Sequence, residues 1–101
     1  MNQDAEGLIC RRVMISGRVQ GVWFRAWTAG EATKRHLDGW VRNRSDGSVE
    51  AVFSGPEQVV LEMIEACHSG PPLARVDNVS QLSPEEDTVS LGQGFITRDT
   101  A

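Results

Sequence analysis

The clearest fold signal lies in residues 37–67, which read LDGWVRNRSDGSVEAVFSGPEQVVLEMIEAC. Residues 37–44 and 49–54 are rich in apolar side chains, and Asp-Gly at positions 46–47 separates them. Asp-Gly between two such runs is a strong short-range signal for a β-hairpin. The next segment carries an apolar stripe at helical spacing, made of Val59, Val60, Met63, Ile64 and Cys67. Pro56 suits the first turn of that helix, so the segment predicts a hairpin followed by a helix.

Before the hairpin, the sequence predicts a strand, a loop and another helix. Residues 8–16 (LICRRVMIS) are rich in β-branched and apolar side chains and indicate a strand. Residues 17–22 (GRVQGV) follow as a short loop flanked by two glycines. A helix is then predicted from Trp23 or Phe24 to His36. One face of this helix carries apolar or small side chains at helical spacing, which are Phe24, Thr28 and Ala32.

After the second helix, the sequence predicts two further strands. Residues 70–72 (GPP) end the helix, because proline cannot continue it. A fourth strand fits within residues 74–82, an acidic loop spans residues 83–87, and a short final strand lies around residues 95–97. The element order is therefore β-α-β-β-α-β with extra strand material at the C-terminus.

This order predicts an α+β fold, the ferredoxin-like sandwich. We expect a mainly antiparallel sheet of four to five strands with two helices on one face, because right-handed crossovers bring both helices to the same side. The other face of the sheet must then be solvated or otherwise covered. The length predicts a single domain over residues 1–101, of which residues 1–7 form a flexible tail.

Composition and cysteine usage favour a cytoplasmic protein. The sequence has no apolar run long enough to span a bilayer, and residues 1–10 lack the layout of a signal peptide. Cys10 and Cys67 are far apart in sequence, so we expect two thiols in a reducing compartment, although sequence alone leaves a disulfide open. His36 and His68 lack zinc-ligand spacing with these cysteines, so no metal site is expected.

The charge of the chain is unevenly distributed. The net charge of −4 argues against a general nucleic-acid-binding protein. Residues 11–44, however, hold eight basic side chains and two acidic ones, whereas the rest of the chain holds two basic and twelve acidic ones. The basic block either forms solvated faces or lies near an anionic ligand.

Arg25 lies where a phosphate site is expected. A glycine-flanked loop that opens onto a helix N-terminus presents backbone N–H groups and the positive end of the helix dipole. Arg25 falls in the first helical turn, where a cation opposes the dipole. A bound phosphate between the loop and the guanidinium would resolve this conflict. From physical chemistry alone, an Arg25 that points into water is an equally good interpretation.

Asn43 is a second candidate. In an extended strand it shares a face with Val41, while Trp40, Arg42 and Arg44 have the opposite parity. If Val41 packs under the helices, the Asn43 amide projects to the same side and could orient a water beside a bound phosphate. An asparagine that merely flanks a turn is the commoner alternative.

Two motifs resemble those of a known family. Residues 17–25 (GRVQGVWFR) resemble the signature G-x-V-Q-G-V-x-F-R of the acylphosphatases. Residues 39–50 (GWVRNRSDGSVE) resemble the second block of the same family, G-W-V-x-N-x-x-D-G-x-V-E. The similarity continues through residues 55–56 and 70–72 to Phe95, so it covers most of the chain after Cys10.

The resemblance implies the hydrolysis of small-molecule acyl phosphates to a carboxylate and inorganic phosphate. It implies neither a metal or other cofactor nor a covalent intermediate. The implied phosphate-holding arginine is Arg25, and the implied water-positioning residue is Asn43. The phosphate-binding loop is implied to consist of Gly17, Arg18, Val19, Gln20, Gly21 and Val22. Trp23 is a bulky residue at a variable position of the motif, and we expect it to shape the mouth of the pocket.

Two other classes of function remain open at this point. The same fold builds RNA-binding modules, which present aromatic side chains on central strands. The predicted first strand has no aromatic residue, and the third has Phe53, whose side of the sheet is not fixed by the sequence. A non-catalytic anion-binding or regulatory domain is the other alternative. We expect a monomer, because one small domain needs no partner to complete its core.

Overall fold

The structure is a computed structural model that describes residues 7–82, Val89 and residues 92–101. The predicted acidic loop at residues 83–87 lies outside the described residues, as do residues 1–6 of the predicted tail. Gly7, which was assigned to that tail, accepts a hydrogen bond on its carbonyl oxygen from the backbone N–H of Glu57, at 2.6 Å.

The described residues form two helices and five strands. These are β1 (Leu8–Arg18), α1 (Phe24–Lys34), β2 (Asp38–Asn43), β3 (Val49–Pro56), α2 (Glu57–Cys67), β4 (Arg75–Leu82) and β5 (Phe95–Thr97). Within the described part of the chain they build one sheet of order β4-β1-β3-β2-β5. β5 runs parallel to β2, and every other pair is antiparallel. The predicted ferredoxin-like α+β fold is therefore confirmed.

Both helices pack on the same face of the sheet. Alternate residues of the strands, including Val13, Val41 and Phe53, contribute buried side chains to one core cluster. α1 contributes Phe24 and Ala32, as its periodicity predicts. The predicted stripe of α2 is also confirmed. Its fully buried residues are Val60, Met63, Ile64 and Cys67, and Val59 is partly buried against the same cluster.

Several predicted element boundaries were wrong by two residues. β1 continues through Gly17 and Arg18, which the sequence placed in the loop. A bulge between Ser16 and Gly17 shifts the pairing with β4, and Gly17 has a φ of 123°. A side chain at Gly17 would overlap the carbonyl oxygen of Arg75, so only glycine lets the two strands pair there.

Two predicted helix ends were also wrong. β3 extends to Pro56, whose ψ of 139° is extended, so α2 begins at Glu57 and Pro56 precedes its first turn. α1 ends at Lys34 rather than His36, because Arg35 leaves the helical conformation with φ −93° and ψ 3°, and His36 adopts a left-handed φ of 59° that a right-handed helix does not accommodate.

The predicted hairpin joins β2 to β3. The Arg44 N–H donates to the Ser48 carbonyl at 2.9 Å, and the Gly47 N–H donates to the Arg44 carbonyl at 3.1 Å. The Asp46 carboxylate accepts hydrogen bonds from the backbone N–H and the hydroxyl of Ser48, at 2.9 and 2.6 Å. These two bonds lower the pKa of Asp46 and stabilise the turn.

The sheet face opposite the helices is covered by charged side chains. Glu50, whose side chain is 2% exposed, accepts hydrogen bonds from three arginines. The distances are 2.6 Å from Arg12 Nε, 2.8 Å from Arg42 Nε and 2.9 Å from Arg44 Nη1. Trp40 lies beside this cluster, with the guanidinium groups of Arg42 and Arg98 at 4.9 and 4.7 Å from its ring centroid.

The charged side chains on this face of the sheet argue against the RNA-binding alternative. Phe53 is fully buried in the core under the helices, so it does not reach the open face. The residues of β1 and β3 that alternate with the core residues lie on the face opposite the helices. In the described parts of these two strands, none of them is aromatic. Those at the centre are Arg12, Met14, Glu50 and Val52. The stacking surface of RNA-binding modules of this fold is therefore missing there.

Neither described helix is long and apolar enough to cross a membrane. Cys10 and Cys67 are not joined by a disulfide.

Candidate active site

A cavity of about 460 Å³ opens beside the N-terminus of α1, where the loop after β1 meets the ends of β2 and β5. Its walls are formed by Val19, Gly21, Trp23, Phe24, Arg25, Ala26, Asn43 and Thr97. The structure thus brings Arg25 and Asn43, the two principal candidates from the sequence, to one cavity from two different elements.

Arg25 lies in the first turn of α1 and is half-buried. In the described structure no acidic residue occupies this turn, and no side chain caps its free N–H groups. The positive charge of the guanidinium and that of the helix dipole therefore add together, with no acidic side chain in this turn to balance them. This combination favours a bound anion.

Asn43 is the last residue of β2, where it pairs with Val49 of β3. Val41, two residues earlier, is fully buried under the helices, so Asn43 has the same parity and faces the cavity, as the alternation predicts. Its carbonyl oxygen accepts the N–H of Ala101 at 3.0 Å. Asn43 is therefore held by strand pairing with β3 on one side and by the hydrogen bond from Ala101 on the other.

The loop that connects β1 to α1 is anchored by two buried valines. Val19 and Val22 are both in the core cluster, and Gly21, with a φ of 75°, lies between them. Gly21 is on a wall of the cavity, and a Cβ added there would meet no heavy atom within 4 Å beyond its chain neighbours. This arrangement leaves the backbone of the loop at the cavity while its apolar side chains point inward.

Not every residue of the predicted phosphate loop lines the cavity. Val19 and Gly21 do, whereas Gly17, Arg18, Gln20 and Val22 are not among the lining residues. Gly17 and Arg18 are in β1, and Arg18 is exposed opposite Arg75 of β4. Arg18 and Gln20 thus lie outside the cavity lining.

The Gln20 side chain connects the loop to the hairpin. Its Nε2 donates to the carbonyl oxygens of Arg44 and Ser48, both at 2.8 Å. Both acceptors lie close to Asn43 in sequence, just past the end of β2 and just before β3. Gln20 therefore fixes the distance between the loop that begins α1 and the strand end that carries Asn43.

Sequence reasoning missed Thr97 as a wall of the cavity. β5 lies parallel beside β2, and Thr97 pairs with Val41. The sequence did predict a strand at these residues, but nothing local in it indicates which edge of the sheet that strand joins. Ala26 was missed as well, because a small helical residue carries no chemical signal.

The site combines a guanidinium, an amide and backbone N–H groups. In the part of the chain that the structure describes, no group of three or more His, Cys, Asp or Glu side chains is arranged to hold a metal ion. The groups that are present can bind an oxyanion and orient a water molecule next to it.

Comparisons with known proteins agree with this chemistry. The family model for acylphosphatases matches residues 11–96. An acylphosphatase from Rhizorhabdus wittichii is 51% identical over 98 residues, which cover 96% of this chain and 95% of that protein. Among solved structures, an acylphosphatase from Coxiella burnetii matches with a TM-score of 0.85 at 36% identity, over 97% of this chain and 100% of that one. An acylphosphatase from Bacillus subtilis matches with a TM-score of 0.77 at 38% identity, over 90% and 98% of the two chains.

Proposed function

Because the chain belongs to the acylphosphatase family and hydrolyses acyl phosphates, we propose that the cavity beside α1 is where this reaction takes place. In this proposal Arg25 holds the phosphoryl group and Asn43 places the attacking water. The observation that carries it is that both side chains line the same cavity.

The phosphoryl group is held by positive charge from two sources. The Arg25 guanidinium donates hydrogen bonds to two phosphate oxygens, as its planar fork allows. Backbone N–H groups of the loop, where Val19 and Gly21 line the cavity, donate to the remaining oxygens, together with the positive end of α1. Gly17, Arg18, Gln20 and Val22 lie outside the cavity lining and are assigned no contact with the phosphoryl group.

Asn43 supports the attack of water on phosphorus. The side-chain oxygen accepts a hydrogen bond from the water and so directs a lone pair of the water at the phosphorus atom. A bond forms between the water oxygen and phosphorus, the bond from phosphorus to the acyl oxygen breaks, and a carboxylate leaves. The water's protons end on inorganic phosphate and in solvent. Since a carboxylate is a good leaving group, positioning and charge stabilisation supply most of what the reaction needs.

The first experiment measures hydrolysis of benzoyl phosphate in the presence of EDTA by the native protein and by Arg25→Ala and Asn43→Ala. We expect turnover to survive the chelator and to fall by roughly 10²–10³-fold in each variant, which is the usual effect of losing one preorganised contact to a transition state. The matched controls are Arg75→Ala and Asn78→Ala on β4, whose side chains are exposed and lie outside the cavity lining.

Two results would contradict the proposal. A folded native protein without turnover would favour the non-catalytic anion-binding alternative. Losses of turnover of equal size in the β4 control variants would show that the effect of the substitutions is not specific to the cavity.

We further propose that the protein acts in the cytoplasm as a monomer with one domain, and that inorganic phosphate binds the same cavity. The single core cluster of the described residues supports a single domain. Competitive inhibition by inorganic phosphate, lost in Arg25→Ala, tests the anion site. Size-exclusion chromatography with light scattering tests the monomer.

A further inference from the structure

Trp23 has an unusual backbone conformation. It precedes α1 with φ 69° and ψ 21°, which is the left-handed region. A bulky residue is rarely found there, because its Cβ crowds the backbone, and glycine or asparagine would be less strained. The indole does not compensate by capping the helix, since the structure shows no side-chain hydrogen bond to the helix end.

The Trp23 side chain is also unusually exposed. Its fractional exposure of 76% is the highest among the large hydrophobic residues of the described chain. By contrast, Trp40 is buried, and Trp27 is partly buried against the core cluster. A strained backbone that presents a large apolar ring to water is a local conflict of the kind found at functional sites.

The location of the ring suggests what it contacts. Trp23 lines the cavity, two residues from Arg25, and Phe24 and Ala26 add further apolar wall. With the phosphoryl group held at Arg25, the acyl part of the substrate must extend away from the guanidinium towards the mouth of the cavity. An exposed indole at that mouth offers a flat surface on which an aromatic or other planar acyl group can stack.

We propose that Trp23 is a specificity-determining residue that stacks on the acyl group, so that the protein favours aromatic acyl phosphates over acetyl phosphate. This inference rests on the proposed function, because it needs the phosphoryl group at Arg25. The indole does not touch the reacting atoms in this scheme. It strengthens the binding of one class of leaving group.

The kinetic test compares benzoyl phosphate with acetyl phosphate for the native protein, Trp23→Asn and Trp23→Phe. Asparagine tolerates the left-handed backbone while removing the ring, and phenylalanine keeps a smaller ring. The Trp23 carbonyl still accepts the Trp27 N–H, at 2.9 Å in the native chain, in either variant. We expect kcat/KM for benzoyl phosphate to fall roughly 3- to 10-fold in Trp23→Asn and less in Trp23→Phe, with acetyl phosphate changing less than about 2-fold.

The control is Leu73→Asn, which removes another exposed apolar side chain, 68% accessible and outside the cavity lining. It should leave the ratio of the two kcat/KM values unchanged. An equal loss for both substrates in Trp23→Asn would overturn the proposal, because the residue would then act on the fold or on the phosphate site. Unchanged kcat/KM values for both substrates in Trp23→Asn would overturn it as well.

A binding measurement separates this inference from the proposed function. Phenacylphosphonate and acetonylphosphonate are carbon-bridged analogues of the two substrates and cannot be hydrolysed at that bridge. Calorimetry should show tighter binding of the phenacyl compound to the native protein. The ratio of the two dissociation constants should be roughly 3- to 10-fold smaller in Trp23→Asn. A protein that binds with this preference but lacks turnover would contradict the proposed function alone. Equal affinities in the native protein would contradict the role of Trp23 even if both substrates are hydrolysed.

Discussion

Glu50 shows how one residue determines the stability of a whole face of the sheet. Its carboxylate is buried and accepts hydrogen bonds from Arg12, Arg42 and Arg44. Burial by itself raises the pKa of Glu50, but the three guanidinium groups outweigh it and hold the pKa below its ordinary value of 4.5. The charged form of Glu50 is thus the one that the fold stabilises.

Replacing this carboxylate should be strongly destabilising. We expect Glu50→Gln to lower the free energy of unfolding by about 3–5 kcal/mol, because three partly buried guanidinium groups lose their common anion. Urea denaturation followed by circular dichroism measures the change. The control is Glu62→Gln on the exposed face of α2, which should change stability by less than about 0.5 kcal/mol. A loss below about 1 kcal/mol in Glu50→Gln would show that the arginines are satisfied by water instead.

The lowered pKa of Glu50 also predicts how the stability of the fold depends on pH. A carboxyl group whose pKa is lower in the folded state stabilises the fold fully above its unfolded pKa, near 4.5. That contribution is lost as the pH falls through the lower folded value. The stability difference between the native protein and Glu50→Gln should therefore be constant above about pH 5.5 and shrink below pH 4.5. A difference that stays constant down to pH 3 would contradict the assignment.

At the scale of elements, the link between the β1–α1 loop and the β2–β3 hairpin sets the geometry of the site. Both bonds of this link come from one amide, that of Gln20. Methionine has a similar length but no N–H donors, so Gln20→Met removes the link while keeping the volume. We expect kcat for benzoyl phosphate to fall about 10-fold, because Asn43 is no longer held at a fixed distance from the loop.

A double-mutant cycle tests whether Gln20 acts through Asn43. If it does, Gln20→Met should have little further effect on kcat in a chain that already carries Asn43→Ala. The full 10-fold loss in that background would contradict the link. Gln81→Met on the exposed end of β4 is the matched control and should leave kcat unchanged.

Elements with strong local signals were predicted well from the sequence. The stripe of α2 and the Asp-Gly turn were placed correctly, because side-chain periodicity and turn chemistry act over a few neighbouring residues. The parity argument for Asn43 held for the same reason, since Val41 packs under the helices as assumed.

Several features that the sequence did not predict depend on contacts with residues far away in the sequence. β1 continues through Gly17 because β4 pairs with it across a bulge, opposite Val76. Thr97 reaches the cavity because β5 joins the free edge of β2. The orientation of the Gln20 amide depends on the carbonyl groups of a hairpin distant in sequence, so a motif identifies the residue but not the direction of its side chain.

At the scale of the whole molecule, Cys67 reports on the cooperativity of the core. It is fully buried on α2, and burial raises the pKa of its thiol to about 12. The thiolate is the nucleophile that attacks a disulfide reagent, so Cys67 reacts only when the core opens. Cys10, which is partly exposed on β1, should react first.

Labelling with a disulfide reagent at pH 8 checks this expectation. In a Cys10→Ser chain the remaining thiol should be labelled only through global unfolding, and added urea should accelerate the labelling as it lowers the free energy of unfolding. Labelling of Cys67 in the native protein as fast as that of Cys10 would show that α2 opens independently of the sheet.

The position of β1 in the sheet has a consequence for how the protein is made. Among the described strands β1 leaves the ribosome before the others, yet its two edges pair with β3 and β4, and the last of these ends at Leu82. Until most of the chain has been synthesised, the nascent β1 has unpaired edges that another nascent chain could occupy. Folding that depends on such distant pairings is slow for a domain of this size. Recombinant yield should therefore depend more on the rate of translation and on chaperones that cover the N-terminal strand than on the stability of the finished fold.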